Sequence, residues 1–129
     1  MALPHRRADG RPMLVAGLRR RHPLDGIAVH IPAQWREFEE LRPIPGRVGS
    51  DRLGVMCGVW DGEFEYMTGV EVESFELLPG GMGRMRIPAQ SYVVFSHEGP
   101  VSGLSASWRW IWEEWLPDSG MTPADTPDF

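Results

Sequence analysis

At 129 residues, with 42% hydrophobic and 24% charged residues, the chain suits one folded domain with a modest core and not a disordered segment. Its net charge of −5 is uneven: residues 1–22 hold six of the thirteen arginines against one acid, Asp9, and the remainder holds seven arginines and seventeen acids. An acidic body repels phosphate backbones, so no nucleic-acid partner is expected. No apolar run approaches the roughly 20 residues of a membrane span, and the arginines of the opening MALPHRRADG have no apolar stretch behind them, so a cytoplasmic protein without membrane contact is expected.

Residues 1–12 read as a flexible basic tail carrying Arg6, Arg7 and Arg11. Met13 to Leu18 is a continuous apolar run, predicted as a buried strand that runs out into Arg19 to Arg21. After a turn at His22 to Gly26, the segment Ile31 to Leu41 predicts a helix with Pro32 at its first position and Trp35, Phe38 and Leu41 on one face. Leu53 to Trp60 reads as a strand, Asp61-Gly62 as a tight turn, and Phe64 to Phe75 as a second strand, together an antiparallel hairpin. Arg84 to His97 is predicted as strand, interrupted near Pro88. Ser102 opens a second predicted helix whose stripe is Leu104, Trp108, Ile111, Trp112 and Trp115, stopped by Pro117.

Cys57 stands alone, which excludes a disulfide framework; it reads as a small buried residue of its strand. His5, His22, His30 and His97 show no metal-ligand spacing and read as surface, so neither metal nor cofactor is expected.

The element order suggests a βαββ unit and the start of a second. Pro23 is followed 12 residues later by Trp35 and 15 later by Phe38, and Pro100 is followed at the same intervals by Trp112 and Trp115. A duplicated βαββ unit can lay both helices on one antiparallel sheet, with the groove between them as a natural ligand concavity. The second unit would lack its two closing strands.

Four stretches, IPAQWREF, LGVMCGVWDGEFEYMTGVEV, RIPAQSYVVFSHEG and WRWIWEEWLPDSGMTPADTPDF, make the chain resemble the GyrI-like effector-binding domains, above all the small integron-cassette members, over roughly Val15 to Phe129. EWLP-x-SG followed by D-x-PDF is the most specific part. The resemblance implies an α+β fold of tandem βαββ repeats over residues 13–129. It also implies multidrug-type binding of small hydrophobic, often cationic molecules, with Glu114 in EWLP at the place of a pocket glutamate that faces the cation. Related proteins include drug-sensing regulators, hydrolases of cyclopropane-bearing toxins and an inhibitor of DNA gyrase. The family's later glutamate, tyrosine and two further strands are missing, and Met121 stands where tyrosine is common.

On a helix of 100° per residue, Glu113 points away from the apolar stripe, whereas Glu114 sits at its edge near Ser107 and Trp110. A carboxylate there would be partly desolvated and attractive to cations. Glu37 holds the equivalent place on the first helix. Trp35, Trp110 and Trp112 are candidate stacking faces, and Trp108 and Trp115 read as core. Phe38, Met56, Tyr66 and Tyr92 complete the candidate ligand-binding set. The leading expectation is a stand-alone sensor or sequestering domain for organic cations. A hydrolase with Glu114 as base and Tyr66 or Tyr92 as electrophilic aid is the alternative, and a module that takes a protein partner or a second copy through an open sheet edge is the third.

Overall fold

A computed structural model describes residues 1–41 and 43–129 of the protein. In chain order the elements are β1 (His5–Gly10), β2 (Met13–Pro23), α1 (Ile27–Glu39), β3 (Leu53–Trp60), β4 (Glu63–Val72), β5 (Gly83–Ile87), β6 (Gln90–Phe95), α2 (Leu104–Trp110) and α3 (Leu116–Ser119). A 3₁₀ turn, Val101–Gly103, precedes α2, and a π-helical turn, Ile111–Trp115, joins α2 to α3. The protein is α+β, and it divides into two units: Arg11–Pro88 with Thr126–Phe129, and Met1–Gly10 with Ala89–Asp125. No helix among the described residues is long and apolar enough to cross a membrane.

The first of these units is an antiparallel sheet in the order β3-β4-β2-β5. Period-two alternation sorts its side chains onto two faces. Ala16, Leu18, Val70 and Val72 lie on one face and meet Phe38, Trp35 and Leu41. Val15, Val55, Met67, Met85 and Ile87 form a second cluster, which the same alternation places on the opposite face. The hairpin of β3 and β4 follows the sequence expectation residue for residue at Leu53–Trp60, with Gly62 at φ 71° in the turn and a bulge between Met56 and Gly58.

Helix α1 begins one turn earlier than predicted. Gly26 adopts a left-handed conformation (φ 86°), and its carbonyl accepts from the amides of Val29 and His30, which builds a turn ahead of Pro32. Pro32 thus sits inside the helix instead of starting it. The arginine row is also less free than its composition suggested: Arg11 pairs with Glu71, Arg19 with Glu65 and Arg20 with Glu37.

The other unit corrects the reading of residues 1–12 as a flexible tail. His5–Gly10 forms β1, antiparallel to β6 from His5 opposite Phe95 to Gly10 opposite Gln90. Strand pairing is made by the backbone, so basic side chains that stay exposed do not prevent it. His5 adds a ring contact to Phe95 at 5.4 Å, and the Ser91 hydroxyl donates to Asp9 at 3.0 Å.

The second helical stretch runs past Pro117, its predicted stop. Proline lacks an amide proton and its ring collides with the carbonyl four residues back. The preceding turn widens: the amide of Leu116 reaches the carbonyl of Ile111, five residues back, and the chain continues to Ser119. After α3 the described residues form no further strand, only an isolated bridge between Asp128 and Met56.

Candidate functional site

Four of the sequence-predicted ligand residues, Trp35, Phe38, Met56 and Tyr66, belong to the four-stranded unit and share its helix-covered face. Helix α1 is fixed there by Gln34, 2% exposed and missed by the sequence reading. Its side-chain amide donates to the carbonyls of Leu18 and Tyr66, both at 3.0 Å, and its oxygen accepts from His22 Nε2 at 2.7 Å. A buried amide must meet such partners, and in doing so it ties α1 to β2 and β4. Gln34 lies four residues before Phe38 and seven before Leu41, so helical spacing already put it on the buried stripe.

That anchor sets the neighbouring Trp35, whose ring meets Phe38 edge-on at 5.7 Å and 85°. Tyr66 leans from β4 across β3 at Gly54: a Cβ on Gly54 would stand 2.0 Å from the Tyr66 hydroxyl oxygen and 3.4 Å from Trp35 Cζ2. Only glycine leaves the tyrosine this room. Burial pushes the Tyr66 phenol above its usual range, a hydrogen bond from Trp35 opposes the rise, and Cys57 adds to it. The phenol therefore keeps its proton at neutral pH and can donate. Met56 stands opposite Tyr66 in the strand register, and Asp128 stands opposite Met56, exchanging both backbone hydrogen bonds with it at 2.8 and 3.3 Å. Opposed residues point to the same side of a sheet, so Tyr66, Met56 and Asp128 form a row on the Trp35 face. Burial lifts the Asp128 carboxyl above the usual aspartate range. Asp128 was not among the candidate residues read from the sequence, although it lies within the D-x-PDF motif.

Tyr92, Trp110, Trp112 and Glu114 belong to the other unit. Phe95 is its aromatic hub, edge-on to Trp115 at 4.9 Å and Trp110 at 6.1 Å, with His5 on both Phe95 and Trp115. Tyr92 lies over Gly10, where a Cβ would meet its ring at 2.4 Å, a second tyrosine lodged against glycine. Trp112 is 43% exposed, and Trp108, expected in the core, is 39% exposed. Glu114 is exposed and makes no ion pair or hydrogen bond among the described residues. The partly desolvated setting expected for it rested on 100° per residue, which a π turn does not keep. Glu37, its counterpart on α1, pairs with Arg20 at 3.0 Å.

His97 and Ser107, 2.8 Å apart, act as a brace: His97 Nε2 donates to the Pro100 carbonyl, leaving Nδ1 to accept from the buried Ser107 hydroxyl. No three metal-binding side chains cluster among the described residues. Two shallow hollows, of about 340 Å³ lined by Pro45, Gly46, Glu73, Ser74, Glu76 and Leu77 and about 320 Å³ lined by Asp9, Gly10, Ala89, Gln90 and Ser91, have no aromatic ring in their lining.

The family model of the GyrI-like small molecule binding domain matches residues 10–129. The chain belongs to the GyrI-like family. Among solved structures, this GyrI-like chain is similar to SAV2435 bound to tetraphenylphosphonium, with a TM-score of 0.76 at 14% identity over 97% of this chain and 80% of that one. It is also similar to the integron cassette protein VCH_CASS2 from the mobile metagenome of Vibrio cholerae, with a TM-score of 0.70 at 20% identity over 96% and 84%. At such identities the likeness concerns the fold. In sequence, the chain is 38% identical over 76 residues to the transcriptional regulator BrlR of Pseudomonas aeruginosa, covering 59% of this chain and 28% of the regulator. The GyrI-like chain thus spans little more than a quarter of that relative's length.

Proposed function

We propose that this GyrI-like domain binds small, hydrophobic, positively charged organic molecules and acts as an effector-sensing or sequestering domain. The observation that carries the reading is the Trp35–Tyr66 corner over Gly54. It presents an indole and a phenol, each partly open to solvent, on one face of one sheet. Indole and phenol faces attract cations and stack on planar aromatics, worth about 0.5–2 kcal/mol per contact. Met56 beside them supplies an adaptable apolar surface. A net charge of −5 favours cations over anions throughout. Trp110, Trp112, Tyr92 and Glu114 offer the same residue chemistry on the other unit, Glu114 being an exposed carboxylate without a partner among the described residues. The tetraphenylphosphonium held by SAV2435 is a ligand of this chemical class.

Calorimetric titration with tetraphenylphosphonium tests the proposal. The wild-type chain is expected to bind, and Trp35→Ala to bind about 3- to 30-fold more weakly. No heat of binding to the wild-type chain would end the reading.

A further inference from the structure

We infer that the carboxylate of Asp128 is the counter-charge for a cation seated on the Trp35–Tyr66 face, an inference that rests on the function proposed above. Three observations lead there. Asp128 is held in register by two backbone hydrogen bonds to Met56, so its place on the sheet does not depend on its side chain. Met56 is opposed on its other side by Tyr66, which puts carboxylate, thioether and phenol in a row on one face, with the Trp35 indole against the tyrosine. The third is the charge balance. Asp128 is half-buried and pairs with no arginine among the described residues, whereas Glu37, Glu39, Glu65 and Glu71 each hold one.

A half-dry carboxylate without a partner is less well solvated than a surface one and carries an unneutralised charge, so a cation beside it gains more than it would in open water. An organic cation with aromatic substituents meets both requirements of this face. Its charge approaches Asp128 through a medium less polarisable than water, and its rings lie on Trp35 and Tyr66. A strongly hydrated metal ion finds one carboxylate and no cluster of metal-binding side chains among the described residues, and a neutral aromatic gains the stacking alone.

The test compares tetraphenylphosphonium with neutral triphenylphosphine oxide on the wild-type chain and on Asp128→Asn, Asp128→Glu and Glu114→Gln. Each variant's fold is checked by circular dichroism, since the bridge to Met56 is made by backbone and should survive all three. Asp128→Asn is expected to weaken the phosphonium about tenfold and leave the phosphine oxide within twofold, while Asp128→Glu keeps most of the phosphonium affinity. Equal phosphonium affinity in Asp128→Asn and wild type overturns the inference, and so does a loss confined to Glu114→Gln. In both of those cases the wild-type chain still binds, so the proposed function stands; absence of phosphonium binding by the wild-type chain removes both.

Discussion

Glycines measure how tightly single residues are packed in this fold. A Cβ on Gly54 meets the tip of the Tyr66 side chain, whereas a Cβ on Gly17 meets the backbone carbonyl of Thr68 at 2.0 Å. A tyrosine can swing aside and a paired strand cannot. Gly54→Ala should cost about 1–3 kcal/mol in urea unfolding and displace the phenol from the candidate site. Gly17→Ala should cost more and reduce the soluble yield. Equal stability losses would mean that Tyr66 is not free to move. Cys57 offers a pH readout: burial first, with Glu65 adding, pushes its thiol up to about 11, while Arg19 pulls the other way. Because the folded value lies above the unfolded one, its contribution to stability is complete below the unfolded pKa and is lost as pH rises through about 11. Cys57 is half-buried, not fully buried as read from the sequence, and native protein at pH 8 should react with an aromatic disulfide reagent more slowly than urea-unfolded protein. Asp128 was not legible, because a carboxylate between Pro127 and Phe129 looks like any turn residue until the strand beside it is known.

At the scale of elements, legibility followed locality. The hairpin of β3 and β4 was readable because alternation and an Asp-Gly turn are both encoded within a few residues. Strand β1 was not, since its partner residues on β6 are 80 to 90 positions away, from Gly10 opposite Gln90 to His5 opposite Phe95, and strand pairing leaves little mark on an exposed basic sequence. The π turn was misread for a different reason. Pro117 announced an ending, but widening one turn relieved the clash, let the helix continue, and moved Glu114 off its expected bearing. Pro117→Ala restores the missing amide and removes the ring, so the stretch from Leu104 to Ser119 should become regular α-helix. The aromatic near-ultraviolet dichroism of Trp110, Trp112 and Trp115 should then change while far-ultraviolet helicity is kept or rises. An unchanged near-ultraviolet spectrum would show that the π turn does not depend on the proline.

For the molecule as a whole, family membership and α+β class were readable from motif and order, and the candidate site was readable by half. Trp35, Phe38, Met56 and Tyr66 do gather on one sheet face, because helical and strand periodicities point them there. The acid expected to serve them, Glu114, belongs to the other unit and is exposed. The central claim is that an organic cation binds on the Trp35–Tyr66 face, and the six tryptophans supply six indole N–H reporters for it. In a ¹H–¹⁵N correlation spectrum recorded during titration with tetraphenylphosphonium, the account predicts that the Trp35 indole signal shifts and saturates. The Trp60 indole, which lies 4.3 Å beneath the Arg21 guanidinium at the hairpin end, should stay in place. A stationary Trp35 signal at saturating phosphonium would contradict the account.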